Sequence, residues 1–342
     1  AKLAAWSAEG LATLQGDPRF YTTSVAMDDV DDVRAALGYD KINLYGASYG
    51  ATAAQYYLRQ HEDHVRAVVF DGGTLLDVPV FERMPANSQR ALDILFSRCE
   101  SDPACHAAFP AVRDEFATVM ARLEDAPVTL PMVDPATGQP AVVDASLLAE
   151  ATHQALVDRS YLAVIPSLVH AAYEGDWARL LQSSSSSSST DSGEGLLVMS
   201  QIIRCSEAWA RFDPAETARS GSGSYLVDAE VAGAQNQAAL CAVLPAGVVP
   251  ADDAKAVRSD VPALFLVGEA DPQDPPANIA DAPKDLPNSV TVVVPGQAHT
   301  VGHLGCMPGV VSSFIDAGTA KGLDVSCMAT GVPLPPFVTS SG

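Results

Sequence analysis

The segment "KINLYGASYGAT", residues 41–52, constrains the fold of this chain more than any other. Its apolar run from Ile42 to Tyr45 predicts a short buried strand, and the alanine-rich stretch after it predicts a helix. Between them lies G-x-S-x-G, centred on Ser48. A serine between two glycines, at a turn from strand to helix, is typical of an exposed nucleophile. We expect side chains at both glycine positions to collide with the neighbouring strand and helix.

The rest of the chain alternates between helical and extended patterns. Residues 21–38, "YTTSVAMDDVDDVRAALG", predict a helix that ends at Gly38. Three further apolar runs predict buried strands: "VRAVVFDGG" at 65–73, "PALFLVGEAD" at 262–271 and "SVTVVVPGQAH" at 289–299. Strands that alternate with helices indicate βαβ units and a mainly parallel sheet, so we expect the α/β class.

The pattern between residues 74 and about 257 is mostly helical, with turns at prolines. Because this stretch is too long for a loop, we expect an inserted domain that covers the active site as a cap. The expected division is a first core part at 1–76, a mostly helical cap at 77–257, and a second core part with the tail at 258–342. Within the cap, the serine-rich segment 182–195 predicts a mobile loop.

Charge and hydropathy exclude several kinds of partner. The formal net charge of −22 repels phosphate backbones and anionic lipid, so we expect neither nucleic acid nor a membrane surface as a partner. No apolar run approaches the roughly 18 residues of a membrane helix, so we expect no membrane insertion. At 342 residues and 48% hydrophobic content, the chain can bury a core and still carry a sizeable insertion.

The six cysteines show neither C-x-x-C pairs nor the spacing of a zinc site. Each consecutive pair brackets one local segment. We therefore predict the disulfides Cys99–Cys105, Cys205–Cys241 and Cys306–Cys327. Three disulfides would place the protein in an oxidising compartment, whereas six buried free thiols would fit a cytosolic protein.

Ser48 needs a base within hydrogen-bond reach and a third group that orients this base. When the nucleophile follows an early strand of a parallel sheet, the acid and the histidine lie on loops after late strands. Asp271 ends the strand at 262–271, and His299 directly follows the last strand. We predict Ser48, Asp271 and His299 as the catalytic residues, with the backbone N–H of Tyr49 as one oxyanion donor.

Alternatives exist for two of these positions. His303, four residues after His299, is the rival base, although a structural role suits it better. The rival acids are Glu269, Asp274 and Asp71. Asp271 itself also fits a structural Asx turn before Pro272.

The other histidines predict no metal site. His61 and His64, in "HEDH", lack the i, i+4 spacing of H-E-x-x-H and suit a solvated helix end. The cap histidines His106, His153 and His170 have no evident partner cluster. We therefore expect neither a metal nor another cofactor.

Several of these segments together resemble one family. They are "YTTSVAMDDVDDVRAALGYDKINLYGASYGATAAQYY", "VRAVVFDGG", "PALFLVGEADPQDPP" and "VVVPGQAH" with the later "GC". They resemble the proline iminopeptidase and tripeptidyl aminopeptidase group of secreted bacterial α/β-hydrolases, closely over 21–74 and 258–330 and loosely over the cap. The resemblance implies an α/β-hydrolase core with the triad Ser48, Asp271 and His299. It also implies a bacterial secreted or cell-envelope protein.

The resemblance further implies a substrate class, namely peptides with a free amino terminus that are cleaved by acyl transfer to serine and then to water. Members of the group hold the substrate amine with acidic residues of the cap. The segment "IIRCSEAW" resembles the family's cysteine-plus-acid segment, so Glu207 is the candidate anchor. A desolvated ammonium group needs a carboxylate partner. An equally weighted alternative is that Glu207 is a surface residue of a cap helix.

The sequence also departs from the family pattern. Asp274 and Ala51 stand where the family usually has threonine. The family's H-G-G-P-like loop, which gives a second oxyanion N–H, and the first half of the sheet have no counterpart in the residues before "YTT". The core would thus be N-terminally truncated, and the strand at 41–45 would show a bare edge. A missing N-terminal segment, a homodimer or residues 1–20 could cover that edge.

Three functions fit these observations. The leading interpretation is a serine aminopeptidase of the tripeptidyl or prolyl type. The second is a carboxylesterase with the same triad, an apolar pocket and no amine anchor. The third is a non-catalytic binding protein that has kept the fold.

Overall fold

The computed structural model describes residues 2–133, 138–177 and 194–339, so the serine run at 183–189 lies outside the described residues. Four of the strands form a parallel sheet, as the sequence predicts, and their order is β1-β2-β5-β6. Strands β3 and β4 form a separate antiparallel hairpin. The strands are β1 (Ile42–Ala47), β2 (Val65–Asp71), β3 (Val128–Val133), β4 (Pro140–Val143), β5 (Ala263–Gly268) and β6 (Ser289–Val294).

The helices lie before, between and after the sheet strands. The first core part contains α1 (Lys2–Thr13), α2 (Thr23–Ala36) and α3 (Tyr49–Gln60). The segment 77–257, which the sequence predicts as a cap and for which we keep that name, contains α4 (Val80–Ser101), α5 (Pro103–Ala108), α6 (Val112–Asp125), α7 (Ala145–Val157), α8 (Ile165–Tyr173), α9 (Glu194–Ser206), α10 (Pro214–Ser220) and α11 (Val227–Cys241). The second core part contains α12 (Ala282–Asp285), α13 (Met307–Ala317) and α14 (Met328–Gly331).

Side chains that alternate along the strands give the sheet two apolar faces. In β2, Val68 and Phe70 belong to a buried cluster with α3, whereas Ala67 and Val69 belong to a second cluster with α13. The period of two in a strand sends successive side chains to opposite faces, so a strand buried on both sides is apolar throughout. The result is a three-layer core whose middle layer carries the turn at Ser48.

The cap differs from the expectation in two ways. The hairpin β3–β4 was not predicted, because two short valine-containing strands give too weak a period to separate from helix. In addition, α1 packs against α9 of the cap instead of lying along the sheet, and the two share a small buried cluster. Residues of α1 therefore do not cover the edge of β1, as one of the sequence-based alternatives required.

The edge of the sheet at β1 is open over the described residues, where β1 pairs only with β2. Tyr45 of β1 is largely exposed there. The helix predicted at 21–38 is present as α2, but Val30, Val33 and Leu37 on it are exposed instead of packed into the core. An apolar stripe of this kind specifies a helix but not what it packs against. Pairing of this edge by a second copy or by additional N-terminal polypeptide stays a prediction.

All six cysteines form disulfides, in the pairing that the sequence predicts: Cys99–Cys105, Cys205–Cys241 and Cys306–Cys327. The second of these joins α9 to the end of α11, inside the cap. Within the described residues, no helix combines the length and the hydropathy needed to cross a bilayer. These features are compatible with an extracellular protein.

Removal of the cap disulfide should destabilise the protein measurably. In the chain-entropy model, closing the 36-residue separation between Cys205 and Cys241 contributes about 4 kcal/mol. We expect the C205A/C241A variant to lose up to this amount of unfolding free energy, measured by urea denaturation. Thiol titration of the denatured, unreduced wild type should find no free thiol. Six free thiols would contradict the oxidised state.

Candidate active site

Ser48 occupies a sharp turn between β1 and α3. Its backbone has φ 55° and ψ −124°, a conformation that non-glycine residues rarely adopt. The backbone N–H of Ser48 donates to the carbonyl oxygen of Asp71 at 2.9 Å, which ties the turn to the end of β2. Backbone strain of this kind persists only where surrounding contacts enforce it, and it is common at functional sites.

The two glycines of the motif are not equivalent. A Cβ at Gly46 would lie 2.1 Å from the carbonyl oxygen of Gly50, so strand and helix could not approach as they do. A Cβ at Gly50 would meet no atom within 4 Å. The collision expected from the sequence is therefore correct for Gly46 and wrong for Gly50, which faces open space.

His299 and Asp271 form a close pair. The Nδ1–H of His299 donates to Oδ2 of Asp271 at 2.8 Å, and Asp271 is fully buried. The other carboxylate oxygen of Asp271 accepts the backbone N–H groups of Gln273 and Asp274, both at 2.9 Å. This arrangement fixes the tautomer of His299, whose Nε2 is buried and has no hydrogen-bond partner among the described residues. It is also the Asx-type turn that the sequence suggests, and this turn is compatible with the predicted role of Asp271 as the acid.

The rival residues do not replace Asp271 or His299 in this hydrogen bond. Glu269 is exposed, and its carboxylate accepts the backbone N–H of Gly296. His303 is exposed as well. Oδ2 of Asp274 lies 3.7 Å from Nδ1 of His299, which is too long for a hydrogen bond. Among these acids, only Asp271 bonds the imidazole directly.

Asp71 positions both halves of the site without joining the pair. It is fully buried at the end of β2. Its carboxylate accepts the backbone N–H groups of Val301 and Gly302, at 2.7 and 2.8 Å, and the hydroxyl of Tyr45 at 2.6 Å. Since its carbonyl oxygen also accepts the N–H of Ser48, one residue fixes both the turn at Ser48 and the loop that carries His299.

The charges around His299 set its protonation. Burial acts to lower the pKa of His299, but the hydrogen bond to Asp271 and the charges of Asp271, Asp274 and Asp71 outweigh it, so the pKa is raised. Burial, with the nearby charge of Asp271, raises the pKa of Asp274 to about 7. The hydroxyl of Thr74 donates to Asp274. A second buried carboxyl thus stands beside the histidine, at the position where the sequence departs from the family pattern.

A cavity of about 600 Å³ opens at Ser48 and is bounded by the cap. Its wall is mostly apolar, with side chains such as Leu75, Val80 and Ile203. Four carboxyl groups and two guanidinium groups also line it, from Asp77, Glu82, Glu207, Asp274, Arg204 and Arg211. The cavity can therefore hold a largely apolar substrate with a charged group.

Glu207 lies in the wall of this cavity and is buried, so the alternative of a surface glutamate is wrong. Its two carboxylate oxygens accept the backbone N–H and the hydroxyl of Thr23, at 2.7 and 2.8 Å. The Thr23 hydroxyl is in turn 2.6 Å from the hydroxyl of Tyr49. Burial raises the pKa of Glu207, against the opposing effect of the Thr23 hydrogen bonds. Through Thr23, Glu207 therefore joins the cap to Tyr49, the residue that follows Ser48.

The backbone N–H of Tyr49 is the first of α3. The first N–H groups of a helix have no partner within the helix. This N–H is thus a suitable donor for an oxyanion that forms at Ser48, and it benefits from the positive end of the helix dipole. Its role stays a prediction.

Four histidines have partners that the sequence did not reveal. One is His170 of the cap, whose Nδ1 is 3.1 Å from both carboxylate oxygens of Glu115. His153 of the cap lies near Asp271 and His299, and its Nδ1 is 3.0 Å from the hydroxyl of Ser88. Burial lowers the pKa of His153 to about 4. His61 and His64 are not merely solvated, because both contact carboxylates of α2. These partners are distant in the chain, so spacing along the sequence gave no signal.

Two family models match the chain. Residues 9–103 match the model of the alpha/beta hydrolase fold, and residues 229–327 match the model described as TAP-like protein. The protein is an α/β-hydrolase. This result agrees with the parallel sheet and with the turn at Ser48, and it confirms the fold class expected from the sequence.

Solved structures similar to this α/β-hydrolase are distant. One is MGS-M2, an alpha/beta hydrolase from a Medee basin deep-sea metagenome library (13% identity, 87% of this chain and 72% of that chain, TM-score 0.35). Another is proline iminopeptidase from Mycobacterium smegmatis (14%, 89% and 74%, TM-score 0.34). A third is an esterase from Thermogutta terrifontis (16%, 86% and 71%, TM-score 0.32). No curated protein matches the sequence. Likenesses this low do not distinguish one activity from another.

The unequal glycines of the motif give a matched test of the turn. Gly46→Ala should displace α3 from β1 and misplace Ser48, because its Cβ would overlap the Gly50 carbonyl. We expect the rate at which a fluorophosphonate labels Ser48 to fall by about a hundredfold or more. Gly50→Ala should label at a rate close to wild type and gain up to about 1 kcal/mol of helix stability. Equal effects of the two substitutions would contradict the geometry.

Proposed function

We propose that this α/β-hydrolase is a serine hydrolase that works through an acyl-enzyme, and that it releases residues from the free amino termini of peptides. The observation that carries the proposal is the buried Asp271–His299 pair, with a free Nε2, beside the strained turn at Ser48. The match of residues 229–327 to the TAP-like model supports a peptidase.

In this mechanism, His299 Nε2 accepts the proton of Ser48 Oγ as the oxygen attacks the scissile carbonyl. The backbone N–H of Tyr49 would donate to the resulting oxyanion. His299 then gives the proton to the leaving amine. In the second half of the reaction, His299 takes a proton from a water molecule as that water attacks the acyl-Ser48 ester, and it returns the proton to Ser48 Oγ as the acyl product leaves. Asp271 holds the imidazole in the required tautomer and stabilises its charged form. In the free protein Ser48 and His299 are not hydrogen-bonded, which is common before substrate binds.

The first experiment treats the protein with a fluorophosphonate and maps the adduct by mass spectrometry. The proposal expects one adduct, on Ser48, and none in Ser48→Ala. A wild-type protein that stays unmodified would overturn the hydrolase and favour the non-catalytic binding protein.

The substrate class rests on Glu207. A buried carboxylate in the cavity wall can pair with the ammonium group of a peptide, even while Thr23 holds it in place, because each carboxylate oxygen has a second lone pair. The cavity carries more carboxyl than guanidinium groups, which also favours a cationic substrate end.

Glu207→Gln should separate an anchor from a structural residue. The amide keeps the size of the side chain but loses the charge, and a hydrogen bond to a charged group contributes about 1.5–3 kcal/mol. We therefore expect kcat/KM for a tripeptide amide with a free amino terminus to fall about ten- to hundredfold. The N-acetylated peptide and an aryl ester should keep their wild-type values. Glu230→Gln, a cap residue outside the cavity wall, is the control. Equal losses on free and blocked peptides would refute the anchor.

A carboxylesterase is the second candidate, because most of the cavity wall is apolar. An ester has a better leaving group and depends less on a complete oxyanion hole. The comparison of the free peptide, the N-acetylated peptide and the aryl ester decides between the aminopeptidase and the carboxylesterase. Turnover of the aryl ester alone, insensitive to Glu207→Gln, would favour the esterase. Because its disulfides are compatible with an extracellular protein, we propose that the hydrolase acts in a secreted or cell-envelope setting.

The pH dependence should report the charges beside His299. The imidazole must be neutral to accept the Ser48 proton, so kcat/KM rises with pH through the pKa of His299. Because this pKa is raised above the ordinary value of 6.5, the midpoint should lie above 6.5. Asp274→Asn removes a neighbouring negative charge and should move the midpoint to lower pH. Asp281→Asn, an exposed residue paired with Lys284, should leave it unchanged. An upward shift in Asp274→Asn would contradict the assignment.

A further inference from the structure

A second cluster of possible ligands lies on the surface, away from the site at Ser48. His61 caps the C-terminal end of α3, and His64 lies in the short turn after it. Both face α2, where Asp31 and Asp28 are one turn apart. One ligand atom each from Asp31, His61 and His64 lie within 4.8 Å of one another. The two imidazole rings are nearly parallel, with centroids 6.0 Å apart.

The hydrogen bonds of His61 leave two acceptors facing each other. Nε2 of His61 lies 2.9 Å from Oδ1 of Asp28, so this nitrogen carries the proton and donates it. In the neutral ring, Nδ1 then has a lone pair, and this nitrogen lies 3.7 Å from Oδ2 of Asp31. That distance is too long for a hydrogen bond. A nitrogen lone pair that faces a carboxylate oxygen at this separation is an arrangement that a bound cation would stabilise.

We propose that Asp31, His61 and His64 form a binding site for a divalent transition-metal ion such as Zn²⁺. Ligand atoms at about 2.0–2.1 Å from a tetrahedral zinc ion are roughly 3.4 Å apart, close to the 3.7 Å between His61 and Asp31. His64 Nδ1 is 2.7 Å from Oδ1 of Asp31 as a hydrogen-bond donor. To bind the ion, His64 gives up this proton to solvent and turns its Nδ1 from Oδ1 toward the ion, a small movement because one ligand atom of each of the three residues already lies within 4.8 Å of the others.

The surroundings fit an imidazole-binding metal better than calcium or magnesium. Two nitrogen ligands and one oxygen suit Zn²⁺, Cu²⁺ or Ni²⁺, whereas hard cations prefer oxygen alone. Asp28 would orient His61 through its Nε2–H, as carboxylates commonly do for metal-binding histidines. The net charge of −22 also raises the concentration of cations near the surface.

Arg34 is the opposing feature, because its guanidinium bonds both oxygens of Asp31, at 2.7 and 3.2 Å. The hydroxyl of Tyr57 also donates to Oδ1, at 2.8 Å. A carboxylate has about four lone-pair sites, two on each oxygen, and among the described residues Oδ2 receives a hydrogen bond only from Arg34, so it keeps one site for the ion. The two carboxylates and one guanidinium leave a net charge of −1 before the metal binds. The bound ion would tie α2 to the end of α3, the helix that begins after Ser48.

The test titrates chelator-treated, full-length protein with ZnCl₂ by calorimetry and measures the melting temperature with and without the ion. We expect one zinc ion per chain and a rise in melting temperature. His61→Ala and His64→Ala should each weaken binding by more than about tenfold, and Asp28→Asn by about tenfold. His106→Ala, an exposed histidine of α5, should bind zinc as the wild type does.

Two results would overturn the site. One is the absence of zinc binding, which would mean that the cluster holds only protons. The other is binding that survives His61→Ala but is lost in Asp274→Asn, since Asp271, Asp274 and His299 form the second group with ligand atoms within 4.8 Å. Zinc would then bind at the proposed catalytic residues and inhibit labelling of Ser48.

Discussion

The buried carboxylate of Asp71 holds the two halves of the site in one place. It lies at the end of the second sheet strand, without solvent contact. Its backbone carbonyl oxygen accepts the N–H of Ser48, and its side chain accepts two N–H groups from the loop just after His299. Burying a charged carboxylate costs free energy unless hydrogen-bond donors satisfy its oxygens. The side chain of Asp71 therefore depends on these donors staying in place. The strained turn and the His299 loop are thereby fixed relative to each other.

The cap is connected to this centre through polar contacts as well as through packing. Glu207 reaches from the end of α9 to Thr23 at the start of α2, and Thr23 contacts the hydroxyl of Tyr49. This chain of hydrogen bonds runs along the wall of the cavity. A substrate group that binds Glu207 would therefore act on the same side chains that hold cap and core together. Substrate binding and the closeness of the cap to Ser48 would then be linked.

The second acid beside His299 gives the site an unusual charge distribution. Asp274 is buried, contacts Thr74, and lies close to the imidazole without bonding it. Burial disfavours the ionised form of Asp274, and the like charge of Asp271 adds to this effect, so the pKa of Asp274 is raised. The imidazole of His299 therefore lies in an electric field that depends on the protonation of Asp274.

The sequence alone determined the parallel strands, the serine turn, the candidate acid and base, and the disulfide pairing. Each of these follows from local spacing: an apolar run before G-x-S-x-G, an aspartate and a histidine that each follow a strand, and cysteines that are paired in order. The tertiary structure decided what depends on distant residues. Examples are the roles of Asp71 and Glu207, the open space at Gly50, the exposed stripe on α2, and the meeting of His61 and His64 with Asp31. The periodicity of a sequence shows which residues share one face of a helix or strand. Only the tertiary structure shows which other element packs against that face, because the contacting residues are distant in the chain.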